Sequence, residues 1–289
     1  MAQLLPYRGD YYLWKYVPNV GAAALFIILF LIMTGLHAWR AWVTSSRFCC
    51  AFTIGSLVEV IGHIGRALAV KRTDKLMPCV LQSFFTLVAP ALFAASIYMV
   101  LGRIVRSVHG EHHSIIKVTR LTKVFVLGDI MAFMIQGGSS GLMFNTSTAK
   151  IGENIVLVGL IVQIMMFGLF VACAAVWQFR MYKAPTPESY RGDVPWRQTL
   201  YMLYGVSIAI FARSIFRVVE YVEGMDGYAM RHEWTLYMFD TLPMFIVTVV
   251  YWRWYPSRVG MPPTSRGDDI GMGESEDNSG VKGEREEGS

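Results

Sequence analysis

Largely apolar runs of membrane-spanning length recur seven times along the chain, at about residues 19–39, 47–70, 78–101, 121–144, 154–177, 198–222 and 234–254. Each can cross a hydrocarbon layer of about 30 Å at about 1.5 Å per residue. A chain in lipid has no water to satisfy its backbone, so each run predicts a helix. The pattern therefore predicts an all-α membrane protein, a bundle of seven transmembrane helices over residues 19–255. Residues 1–18 precede the bundle and residues 256–289 form a tail. The first, third and fifth runs are the cleanest, whereas the second, fourth, sixth and seventh carry polar residues.

Composition agrees with the pattern. Hydrophobic residues make up 54% of the 289 and charged residues only 16%, against about 25% in soluble domains. The charges also set an orientation. Arg8, Lys15, Lys71, Arg72, Lys75, Lys150 and Arg231 flank one side of the predicted spans; thirteen Lys and Arg, from Arg40 to Arg258, flank the other. The positive-inside rule then puts the N-terminus outside and the C-terminus in the cytoplasm. The first eighteen residues are polar and aromatic, so the first run reads as a true span rather than a signal peptide.

The charges inside the runs change the picture from a greasy bundle to one with a site. Arg213, Arg217 and Glu220 are spaced by four and then three, which draws one stripe down a helix face, and Asp240 arrives on the next span. Glu59, His63 and Arg66 repeat that spacing in the second run with the charge order reversed. A charge at mid-bilayer costs about 2.5 to 3.5 kcal/mol on insertion scales, so these groups must face protein, water or one another. Asp240 is expected to pair with Arg213 or Arg217. On the assigned orientation Glu59, His63, Gln82, Gln136, Gln163, Arg213, Arg217 and Asp240 lie from the midplane outward, with Arg66 and Glu220 at the outer boundary. Only Asp129 falls on the inner half. The belt predicts a polar cavity opening toward the outer leaflet, with these ten outward residues as the substrate-binding or coupling set.

Other features refine the outline. Tyr7 to Tyr16 reads as an interfacial aromatic belt. Pro90 and its small neighbours predict close packing around a kink, and the run from Gln136 to Gly141 predicts a broken or closely approached backbone. The loop holding His109, His112 and His113 is basic and suits anionic lipid better than a metal, since carboxylate or cysteine partners at ligand spacing are lacking. Cys79 alone of four cysteines approaches the oxidising face, so no disulfide framework is expected; Asn145 heads a glycosylation sequon on an outer loop. The tail, with eight acidic against four basic residues, is expected to be disordered. Spans one to three and five to seven could form parallel repeats joined by span four, since charged stripes fall on spans two and six and Pro90 and Pro243 on spans three and seven.

These residues carry a family resemblance. Glu59 to Arg66, Gln82, Ala89-Pro90-Ala91, Tyr98, Leu101-Gly102-Arg103, Asp129, Gln136, Gly159-Leu160 and Gln163 contribute to it. The most specific part is Arg213-Ser214-Ile215-Phe216-Arg217 with Glu220, Gly224, Glu233, Tyr237, Asp240 and Pro243. The chain resembles the fungal lipid-translocating exporter family, seven-helix membrane proteins named for resistance to aminocholesterol. It departs from the family pattern at Tyr255-Pro256, where relatives usually carry His-Pro. The resemblance implies a fungal source, a plasma-membrane or other endomembrane address, and a role in moving or tolerating lipids and amphiphiles.

The leading expectation is thus a translocator or exporter of an amphiphile, such as a sphingoid long-chain base or a sterol-like toxicant, contributing to drug or stress resistance. No Gly-x4-Gly-Lys-Ser/Thr pattern occurs, so direct ATP drive is not expected; Glu59, His63 or Asp240 could carry a coupling proton. A seven-helix lipid receptor signalling through its cytoplasmic loops is the alternative. No cofactor, metal, nucleic acid or obligate protein partner is implied, and no nucleophile, base and orienting residue share a depth as an enzyme would need.

Overall fold

The computed structural model describes residues 14, 16, 18–70, 73, 75–143, 149–190, 195–224 and 227–256. Asn145 and most of the two terminal segments lie outside them. The described residues form helices without strands: α1 (Val20–Val43), α2 (Cys50–Ala69), α3 (Leu76–Ser107), α4 (Val118–Met143), α5 (Ala149–Lys183) and α6 (Trp196–Glu223). They are followed by α7 (Tyr228–Arg231), α8 (Glu233–Leu236), a π-helical turn (Tyr237–Thr241) and α9 (Leu242–Arg253). Six helical stretches, α1, α2, α3, α5, α6 and the run Glu233–Arg253, are long and apolar enough to cross a membrane.

Consecutive long helices pack side by side, and α1 closes the ring against α9. Helix α3 runs through the middle, touching α2, α4, α5 and α6, and its Phe93, Ile97, Tyr98, Val100 and Ile104 are fully buried. The outer helices turn Leu25, Ile28 and Ile32 of α1 and Ile161, Met165 and Leu169 of α5 outward, as lipid contact requires.

Two sequence expectations need correction. The glycine-rich run after Gln136 does not break α4, which continues to Met143, and nothing lies within 4 Å of where a Cβ would stand on Gly137 or Gly138. The helical hydrogen bonds run on through these positions, so glycine's freedom goes unused there. Helices α3 and α5 also outrun their apolar windows, ending at Ser107 and Lys183. Arg103, Arg106, Arg180 and Lys183 end the hydropathy signal yet are good helix formers, and basic side chains suit a helix C-terminus.

The two extensions hold the histidine loop between them. Trp177 Nε1 donates to the Gly110 carbonyl at 3.0 Å, Thr186 Oγ1 to the Val108 carbonyl at 2.7 Å, and His113 Nε2 lies 2.9 Å from the Ala184 carbonyl. At the other end α6 stops at Gly224, whose φ of 70° is the left-handed conformation that glycine adopts without strain.

A buried charge cluster as candidate functional site

The site begins with how closely α2 approaches α3. A Cβ on Gly65 would stand 3.0 Å from the Gln82 backbone nitrogen, and one on Gly62 3.1 Å from Thr86 Cγ2. Small residues let the two backbones come together, as is common where helices meet in lipid. Helix α2 meanwhile carries Glu59, His63 and Arg66, all at most 2% exposed, toward neighbours that include the segment around Asp240.

Two prolines shape the backbone around the charges. Pro90 lies inside α3 and has no N–H, so the carbonyl of Thr86, four residues earlier, lacks its intrahelical donor. Arg213 Nη2 donates to that carbonyl at the α3–α6 contact. Pro243 acts on the last span. A proline ring clashes with the carbonyl four residues back, and here the preceding turn loosens into the π turn Tyr237–Thr241, in which Leu242 N–H reaches the Tyr237 carbonyl. That turn contains Asp240.

Asp240 meets both arginines. Arg217 grips it as a fork, Nε to Oδ1 at 2.9 Å and Nη2 to Oδ2 at 2.8 Å. Arg213 Nε approaches Oδ1 to 2.8 Å as a charge contact, without the alignment of a hydrogen bond. The remaining guanidinium nitrogen of Arg217, Nη1, donates to Glu220 Oε2 at 2.8 Å, so one guanidinium ties two carboxylates. The paired side chains are nearly sealed, from 4% exposed at Asp240 to 11% at Arg217.

Glu59 stands apart from these pairs. Its Oε2 is 3.7 Å from His63 Nδ1, and its Oε1 is buried with no hydrogen-bond partner. His63 Nδ1 lies 2.8 Å from the Glu59 main-chain carbonyl, which only an N–H can satisfy, so a neutral ring presents Nε2 as acceptor to the Thr241 hydroxyl 3.3 Å away. Asp240, Glu220 and Glu59 set three carboxylates against the two guanidiniums of Arg213 and Arg217. Glu59 is the carboxyl among them that neither arginine binds.

A second group closes the end toward residue 233. Arg66 donates Nη2 to Glu233 Oε1 and to the Tyr16 hydroxyl, both at 2.8 Å, Nε to the Tyr237 hydroxyl at 3.1 Å and Nη1 to Gln82 Oε1 at 3.3 Å. The rings of Trp14, Tyr16 and Tyr237 lie 5.2 to 5.8 Å from its guanidinium carbon. Burial holds the Tyr16 phenol above its ordinary value against the pull of Arg66, so it remains a neutral acceptor. Asn19 caps α1 with its side chain while its own N–H reaches the Glu233 carboxylate at 2.9 and 3.0 Å. Trp14, Tyr16 and Asn19 thus lie across the end of the cluster, where the sequence predicted an aromatic belt over Tyr7 to Tyr16.

Of the ten anticipated site residues, Glu59, His63, Arg66, Gln82, Arg213, Arg217, Glu220 and Asp240 come together between α2, α3, α6 and the last span. Gln136 and Gln163 do not join them; they bond each other across α4 and α5, Nε2 to Oε1 at 3.2 Å. The anticipated cavity lining is, in this structure, a set of charges in direct contact.

Residues 52–261 match the family model described as RTA1 like protein. The chain belongs to the RTA1-like family. This RTA1-like protein is 32% identical over 269 residues to Protein RTA1 of Saccharomyces cerevisiae, 84% of each chain being covered. It is 29% identical to the "Probable lipid transporter atnI" of Emericella nidulans, over 86% of this chain and 69% of that one. It is 24% identical to the "Sphingoid long-chain base transporter RSB1" of Saccharomyces cerevisiae, over 83% and 72% respectively. No solved structure matches. The RTA1-like match spans both charged stripes, while Trp14, Tyr16 and Asn19 lie before it. Sequence reasoning missed the parts played by those three, by Thr86 and by Thr241; the proline four residues after Thr86 was the available signal.

Proposed function

We propose that the protein is a seven-helix translocator of membrane amphiphiles, its N-terminus outside and its C-terminus in the cytoplasm of the plasma-membrane-bounded cell. It works without ATP, and its preferred cargo is a single-chain lipid with a cationic headgroup. The observation that carries this reading is Glu59, a buried carboxyl group that neither Arg213 nor Arg217 binds and that has one oxygen unpartnered. An ammonium headgroup, as on a sphingoid long-chain base, gives that oxygen a donor and holds Glu59 as a carboxylate, whereas an anionic headgroup offers it no positive charge. The names of the lipid and sphingoid-base transporters among its relatives support the same class.

Seven crossings follow if α4 spans as well. Its 26 residues suffice, and Leu127, Ile130, Met131 and Met134 face outward as lipid would demand. The parallel-repeat reading gains some support too, since the stripes of α2 and α6 meet at one cluster and Pro90 and Pro243 each perturb backbone beside it. In the proposed cycle the Arg66, Gln82, Tyr16 and Glu233 group opens first. The headgroup then reaches Glu59 and His63, with Arg213, Arg217, Glu220 and Asp240 holding the seat's shape.

The test is flux of a labelled sphingoid base through liposomes containing only the purified protein. Wild-type protein should move it, Glu59→Gln should abolish the movement while folding normally, and a receptor without transport would leave wild-type vesicles as silent as empty ones.

A further inference from the structure

A second polar group lies on the opposite side of α3, away from the charge cluster. Thr122, Asp129 and Gln136 are spaced by seven on α4, which places them on one face two turns apart. Thr122 Oγ1 donates to the Tyr98 carbonyl at 3.4 Å, the Tyr98 hydroxyl to Asp129 Oδ2 at 2.9 Å, and Gln136 Nε2 to Gln163 Oε1 at 3.2 Å. Asp129 is 4% exposed, and its Oδ1 has no hydrogen-bond partner.

Among the described residues no cation answers this aspartate. From α3 it meets Tyr98, whose ring packs against Phe125, Phe167 and Phe170 at 5.5, 6.2 and 4.4 Å. From α5 the neighbours are Phe167, Phe170 and Met166, which presses on Gly128 beside it, while Phe125 belongs to α4 itself. The nearest basic residues on the packed elements turn elsewhere: Arg103 of α3 stacks on Phe48 at 4.1 Å, and Lys123 of α4 is exposed. An ionised carboxylate with one unsolvated oxygen in such surroundings is costly, and a carboxylic acid is not.

We infer that Asp129, held by Tyr98, is a proton-binding site, loaded in this closed form and emptied during the transport cycle. The inference rests on the transport reading above and adds its coupling ion. The proton sits on Oδ1 while Oδ2 accepts the tyrosine hydroxyl; on release it leaves to water admitted along the Thr122–Gln136 face, and Asp129 is left as the carboxylate. No bond but O–H breaks. Helix α3 links the two sites, since Thr86 meets Arg213 and Tyr98, twelve residues on, meets Asp129. A shift of α3 that opens one can therefore open the other.

Infrared spectra of the purified full chain with isotope-labelled aspartate test loading directly. A protonated-acid carbonyl band should be present near neutral pH, absent in Asp129→Asn, and shifted in frequency in Tyr98→Phe, where the acid loses its hydroxyl donor but stays. In liposomes an imposed pH gradient should speed sphingoid-base flux through wild-type protein, and flux through Asp129→Asn should not respond to it. Absence of the acid band overturns the inference and leaves transport untouched. So does a band accompanied by full gradient response in Asp129→Asn. Wild-type vesicles that move no lipid would instead sink the transport reading, and the coupling role with it, whatever the spectra show.

Discussion

Asp240 and Asp129 are two aspartates on long helices, each at most 4% exposed, and they are satisfied in opposite ways. Asp240 accepts a forked guanidinium and touches a second one; Asp129 accepts a single phenol and leaves an oxygen bare. The first is an anion fixed by two cations on α6, and the proline-induced π turn sets it among them. The second lies in an aromatic box with no cation, on a helix whose backbone is regular. Asp240, which stays charged, thus has arginines beside it, whereas Asp129, inferred to exchange a proton, has none. Glu59, beside the first group but bound by neither arginine, is the proposed seat of the cargo cation.

The largest effect that could break this contrast is on folding. Asp240→Asn strands two arginines and should destabilise the protein by about 3–5 kcal/mol, while Asp129→Asn, which keeps an acceptor for Tyr98, should cost about 1 kcal/mol. Thermal melts in detergent measure both, and equal losses would erase the distinction. Combining Asp240→Asn with Arg217→Gln should recover folded protein beyond the sum of the single effects; strict additivity would mean the fork contributes nothing.

Next in size is the close approach that seats α2. Gly65→Ala puts a methyl group 3.0 Å from a backbone nitrogen of α3, and overpacking of this kind costs about 1–3 kcal/mol. The same change at Gly137, where nothing lies within 4 Å, should leave the melting temperature unchanged or slightly raised. A matching loss at both positions would show that the α2–α3 contact is not specially tight.

The smallest effect concerns Pro90. Pro90→Ala returns an N–H to the Thr86 carbonyl and displaces Arg213, exchanging one hydrogen bond for another, so stability should change by less than about 1.5 kcal/mol. Transport should fall more than stability does, because Arg213 is then free to swing toward Glu59. A variant that melts far lower yet transports normally would remove Pro90 from the site.

Most of this architecture was legible in the sequence. Apolar runs marked the long helices, six of which are long and apolar enough to cross a membrane, because lipid leaves a spanning backbone no regular choice but the helix. The pairing of Asp240 with Arg213 or Arg217 followed from charges that lipid cannot hold alone, although the sequence offered the two as alternatives and the structure uses both. What was not legible depends on backbone detail. Pro90 read as a packing kink, while its main consequence is a carbonyl freed for Arg213. The π turn that presents Asp240 has no side-chain pattern of its own, only Pro243 after it. Gln136 and Gln163 were placed with the charges by depth, but depth ignores direction around a helix axis, and α4 and α5 turn them toward each other. Asp129 was set aside on the same ground of depth; its seven-residue register with Thr122 and Gln136 was the signal to follow.

Binding of a cationic long-chain base to the detergent-purified protein tests the central claim most directly, with the N-acylated, uncharged form of the same lipid as comparison. The account predicts that wild-type protein prefers the cation by about 10- to 100-fold, the worth of a charge-assisted hydrogen bond of about 1.5–3 kcal/mol, and that Glu59→Gln loses the preference while Asp129→Asn keeps it. Equal affinity of wild-type protein for the two lipids, or an undiminished preference in Glu59→Gln, would contradict it.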